Sequence, residues 1–77
     1  MNFKELEEKE FNFKFSFNMV ANIILFLQKI QQMHPDKDDL VNQECTDTID
    51  EIVDQLSEED LGSMNIYLKA INLENNL

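Results

Sequence analysis

The residues that could do chemistry in this chain are one cysteine, one histidine and sixteen carboxylates. Their arrangement argues for binding, not catalysis. Cys45 lies between Val41 and Ile49 on what reads as an apolar helix face, with no base beside it. A small buried hydrophobe fits that setting, because a nucleophilic thiol needs a neighbour that favours the thiolate. His34 stands before Pro35 at a helix break, and one Cys with one His cannot supply the three or four ligands of a zinc site. The stretch Asp36-Lys37-Asp38-Asp39-Leu40 has the acids of a calcium loop. It lacks the central Gly, carries Leu40 where a ligand belongs and has no Glu at the twelfth place. Carboxylates alone on a solvated helix face do not make an active site. The residues therefore point to no enzyme, no metal and no cofactor.

The carboxylates are unevenly placed. Residues 1–37 carry five acids and five lysines, whereas residues 38–77 carry eleven acids against Lys69 alone, so the net charge of −10 sits in the second half. Glu44, Asp47, Glu51, Asp54 and Glu58 recur at spacings of 3, 4, 3 and 4. On a helix continuing through Ser57 they form one ridge, with successive members about 5–6 Å apart. Phosphates along one DNA strand are spaced on the same order, at one charge per ~3.4 Å of axis. Surface helices usually alternate sign to gain i,i+4 pairs, and no lysine occurs between Asp38 and Tyr67. A face that repels itself in this way fits a complementary basic surface on a partner. The alternative is that the charge serves only solubility.

The elements that position these residues follow from periodicity and punctuation. Seventy-seven residues make a single domain whose core is marginal, since a chain this short buries only ~60% of its unfolded surface. A single cysteine leaves no internal disulfide to supplement it. Residues 10–18 alternate Phe11, Phe13, Phe15 and Phe17 with Asn12, Lys14, Ser16 and Asn18, which predicts a short strand. Asn18 then caps a helix over residues 19–33 with Val20, Ile23, Ile24, Leu27, Ile30 and Met33 inward. Leu25 and Phe26 fall outside that stripe, so this helix is apolar around most of its circumference. His34-Pro35 stops it. An acidic helix over residues 36–56 follows, burying Val41, Cys45, Ile49, Ile52, Val53 and Leu56. Ser57 with Asp60 resembles a capping box and opens a last helix over residues 58–72, with Leu61, Met64, Leu68 and Ile71 inward and Tyr67 beside them. Residues 1–9 are expected to form a short helix or to fray, with extension of the strand as the alternative, and residues 73–77 are expected to fray. The fold class is thus mainly α, one N-terminal strand followed by three amphipathic helices.

A lone strand leaves backbone groups unpaired on both edges. Pairing with the same strand of a second copy closes it, and Phe11, Phe13, Phe15, Phe17, Leu25 and Phe26 are the expected self-association set of a homo-oligomer. Strand, helix, helix in a dimer is the order of a ribbon-helix-helix protein, and Phe11-Asn12-Phe13-Lys14-Phe15 looks like such a ribbon. That resemblance implies base reading by Asn12, Lys14 and Ser16. The net charge of −10 opposes it, because DNA affinity rests on neutralising phosphates.

The segment Phe13-Lys14-Phe15-Ser16-Phe17-Asn18-Met19-Val20-Ala21-Asn22-Ile23-Ile24-Leu25-Phe26-Leu27 resembles one found in small uncharacterised proteins of tailed bacteriophages. There a short aromatic strand runs into a helix start; Gln28-Lys29 stands where those proteins typically continue with Pro. The resemblance implies a phage or prophage origin, and small acidic phage proteins often act by occluding a host protein. The longest apolar run is too short for a membrane span, and the opening Phe3-Lys4-Glu5-Leu6-Glu7-Glu8 does not read as a signal peptide. The expectation is a cytoplasmic protein, in the host cytoplasm if phage-encoded. Its ridge would occlude a basic surface of a nucleic-acid-handling or defence protein in the manner of a DNA mimic. The main alternative is an oligomeric scaffold module, and the second is a ribbon-helix-helix-like regulator.

Overall fold

In the computed structural model, which describes residues 2–75, four α-helices follow one another. They are α1 (Phe3–Glu8), α2 (Phe17–Met33), α3 (Leu40–Asp54) and α4 (Glu58–Asn75). The chain is mainly α, as its pattern predicts. Each start is set by a side-chain oxygen that takes an unpaired N–H of the first turn. Asn2 Oδ1 accepts from Lys4 N–H at 3.0 Å, Ser16 Oγ from Met19 N–H at 3.2 Å, and Asp39 Oδ1 from Val41 N–H at 2.8 Å. At α4, Ser57 Oγ accepts from Asp60 N–H at 3.1 Å.

Several boundaries differ from expectation for local reasons. Ser16, not Asn18, caps α2, so Phe17 and Asn18 are helical; Asn18 Oδ1 instead accepts from the Tyr67 hydroxyl at 3.3 Å. The acidic helix begins at Leu40 and not at residue 36. Asp36 folds the chain into a turn first, its carboxylate accepting from Asp38 N–H at 2.9 Å and its carbonyl from Asp39 N–H at 3.0 Å. For residues 1–9 the structure has the short helix, α1, capped by Asn2, with none of its side chains buried. The last helix passes residue 72 and takes in Leu73 and Glu74; residues 76–77 of the expected tail lie outside the described residues.

The strand expected over residues 10–18 is not formed, and no strand occurs among the described residues. Residues 10–15 make no backbone hydrogen bond, so the alternating segment has no neighbour with which to form a ladder. Its phenylalanines stack along their own chain instead, Phe11 on Phe13 at 5.8 Å and Phe13 on Phe15 at 5.6 Å between ring centroids. The ribbon that a ribbon-helix-helix arrangement needs is therefore missing from the single chain.

Helix α2 packs against both α3 and α4. Ala21, Ile24, Met64 and Leu68 form the buried cluster, with Val20, Leu25, Ile52, Leu56 and Tyr67 packed around it. Leu25 thus faces this core and is withdrawn from the expected self-association set. The inner stripe of α2 is also rotated: Ile30 and Met33 face outward, Ile23 is half-buried on the same side, and Ala21, completely buried, takes the central place. A methyl side chain lets two helix backbones approach, which a stripe drawn through the largest residues overlooks. On α3 the expected face is inward, with Cys45 buried and Val41 loosened at the helix start.

The result is an open molecule. A compact monomer of 9.1 kDa exposes about 4,900 Å². This chain exposes 6814 Å², an excess of about 1,900 Å² over that scaling. Its radius of gyration is 14.5 Å, against about 11.5 Å for a compact chain of equal length.

The packing generates paired expectations for urea unfolding followed by circular dichroism. Ile24→Ala should lower the unfolding free energy by about 2–5 kcal/mol. Gly62→Ala should raise it by up to about 1 kcal/mol, since a Cβ at this helical position meets nothing within 4 Å.

Candidate functional site

Three polar links join the end of α2 to α3, beside the apolar contact that Ile52 makes with the buried cluster. Asn42 Nδ2 donates to the His34 carbonyl at 2.7 Å, and Gln31 Nε2 donates to Thr46 Oγ1 at 2.7 Å. Asp39 provides the third. One carboxylate oxygen caps α3, while the other accepts from His34 Nδ1 at 3.0 Å. A single side chain therefore ties the end of α2 to the start of α3. The His34 hydrogen bond, and after it the Val41 N–H, holds the Asp39 carboxyl below its ordinary value of 3.8.

With Cys45 turned into the molecule, Glu44, Asp47, Glu51 and Asp54 lie exposed on α3. Glu44, Asp47 and Glu51 share a shallow hollow with Thr48, Ile52 and Gln55. Glu51 and Asp54 share a second hollow with Gln55, Glu10 and Phe11. The segment after α1 thus brings a further carboxylate and an aromatic ring to the C-terminal end of the ridge. No pattern in the sequence pairs Glu10 with Glu51, because their proximity depends on the path of an irregular segment. Glu58 does not extend the ridge as expected. Helix α3 stops at Asp54, and Glu58 opens α4 with Glu59 and Asp60 in its first turn, at the positive end of that helix.

Among the described residues the only ion pair is His34 with Asp39. No lysine among the described residues forms an ion pair with a ridge carboxylate. Among the same residues, no group of three or more His, Cys, Asp or Glu is placed to hold a metal ion. Cys45 is a buried free thiol. A separate groove of about 800 Å³ runs beside the ridge and is lined by amide side chains, Gln28, Gln31, Gln32, Asn42, Gln43 and Asn72 among them. The polar run after Leu27 was its only trace in the sequence.

Of the expected self-association residues, Phe11, Phe13 and Phe15 are more than half exposed and Phe26 is 65% exposed. Phe17 is 42% exposed and meets the Tyr67 ring edge-on at 5.3 Å. Among the described residues no helix is long and apolar enough to cross a membrane. Compared with known proteins, the chain matches no family model, no curated protein and no solved structure.

The Asp39 link gives a pH expectation. Its folded-state value is depressed, so the stability it adds is present above the ordinary value near 3.8 and is lost as the pH falls through the lower folded value. Asn at position 39 keeps a cap but cannot titrate. Urea midpoints of Asp39→Asn should therefore fall less than those of the parent chain between about pH 5 and pH 2.

Proposed function

We propose that this chain is a non-enzymatic, cytoplasmic binding protein whose α3 ridge occludes a basic surface on a partner protein. The observation that carries this reading is the row Glu44, Asp47, Glu51 and Asp54, exposed on one helix without a single basic partner among the described residues. Four carboxylates at this spacing repel one another, and a cationic surface relieves that repulsion on contact. Proteins that handle nucleic acids present cationic surfaces for the phosphate backbone. They are the partner class that the ridge fits, as a mimic of that backbone. A host nucleic-acid-handling or defence protein is the specific expectation, supported by the resemblance of residues 13–27 to segments of small phage proteins. Phe11 and Glu10 at the ridge end add an apolar contact and one more charge.

A second reading is favoured by the excess exposed surface: an oligomeric interaction module in which the charge keeps the particle soluble. Salt separates the two. Binding through the ridge weakens as ionic strength rises and the screening length shrinks to about 10 Å at 0.1 M; apolar docking does not.

Reversing Glu51 and Asp54 to Lys tests the ridge directly. Both lie in the last turn of α3, which contains no basic residue, so lysine there suits the helix dipole and should leave circular dichroism unchanged. The parent chain should retain a cellular protein that elutes with salt, and should displace that protein from duplex DNA in a gel shift. The double variant should do neither. Unaltered displacement by the double variant would remove the ridge from the function.

A further inference from the structure

Helix α2 has a second apolar face that the fold leaves uncovered. Met19, Ile23, Phe26, Ile30 and Met33 follow one another at spacings of 4, 3, 4 and 3, the repeat of a coiled-coil seam. They run along the side of α2 away from Ala21 and Ile24. Phe26 and Met33 are 65% and 77% exposed, Met19 and Ile30 47% and 37%, and Ile23 is half-buried. An amphipathic surface helix needs one apolar stripe; α2 has two.

We propose that this outer stripe is the seam of a homodimer, packed against the same stripe of a second copy of the chain. It rests on the self-association invoked by the second reading above and not on the ridge. Three observations choose a second copy as the occupant. The first is exposure: Met19, Phe26, Ile30 and Met33 are 37–77% exposed along one side of a single helix, and a contiguous apolar surface of that kind marks an interaction site. The second is charge. A chain of net charge −10 repels its own copy, and the sequence carries no Asp or Glu between Glu10 and Asp36. Helix α2 lies wholly within that stretch, with Lys29 as its one charged side chain, so two copies can approach face to face there without opposing acids. The third is the repeat itself, since a 3.5-residue stripe is complementary to another of the same period. The expected pairing of phenylalanine strands is replaced by pairing of helices, with the ridges of both copies left free on α3.

Phe26 is the midpoint of the seam, so the two copies of it meet whether the helices run parallel or antiparallel. Sedimentation equilibrium of the full chain should give twice the 9.1 kDa of one copy. Phe26→Glu with Ile30→Glu should halve that mass and leave helical circular dichroism intact, because both side chains already reach solvent in the single chain. Phe13→Glu with Phe15→Glu should leave the dimer in place. As a second readout, Phe26→Cys should form a disulfide-linked dimer under mild oxidation, and Ser63→Cys on α4 should not. A parent chain that stays at 9.1 kDa overturns self-association altogether. A parent dimer that survives the α2 substitutions, or that dissociates with the Phe13 and Phe15 substitutions, overturns the seam but leaves self-association standing.

Discussion

The packing of Ala21 and Ile24 against Met64 and Leu68 is the interaction on which the other elements depend, because α2 is the helix in contact with both α3 and α4. Domains of this size hold only a few kcal/mol of net stability even when their cores are well filled. Here the cluster is small and its surroundings are half-buried. Helix α3 adds Cys45, the contact of Ile52 with the buried cluster and a set of polar links to α2, which together set its rotation. The orientation of the acidic ridge is therefore inherited from α2, although no ridge residue lies on that helix.

Charge and burial divide the chain in the same place. The stretch without acids, from Phe11 to Pro35, contains the exposed aromatics and the doubly apolar helix. The acids that follow are confined to turns, caps and the outer faces of α3 and α4, where they stay hydrated. A few are used structurally: Asp39 caps α3, Asp36 makes the turn before it, and the acids of the first turn of α4 face that helix's positive end. Glu44, Asp47, Glu51 and Asp54 have no such structural part. With the seam proposed for α2 added to the ridge proposed for α3, the first half assembles two copies and the second half presents a ridge from each.

Much of the helical architecture was legible in the sequence because its signals are local. The break at His34-Pro35, the Ser57 cap and the inward faces of α3 and α4 each rest on neighbouring residues. The strand expected over residues 10–18 fails for a related reason. Period-two alternation describes which way side chains point, and Phe11, Phe13 and Phe15 do share a side, yet a strand also needs a partner for its backbone. The central role of Ala21 was hidden because pattern reading weights large residues, while close helix packing favours small ones. At the ridge, the four α3 carboxylates followed from spacing alone. The loss of Glu58 and the arrival of Glu10 and Phe11 depended on where a helix stopped and how an irregular segment returned.

The seam proposed for α2 requires a second copy to complete its burial, and the concentration dependence of thermal unfolding tests that most directly. A dimer whose outer α2 faces are covered only on association should show a melting midpoint that rises steadily across about a hundredfold increase in protein concentration. A single cooperative transition with a midpoint independent of concentration would contradict it, since the exposed stripe of α2 would then belong to a monomer that is stable alone.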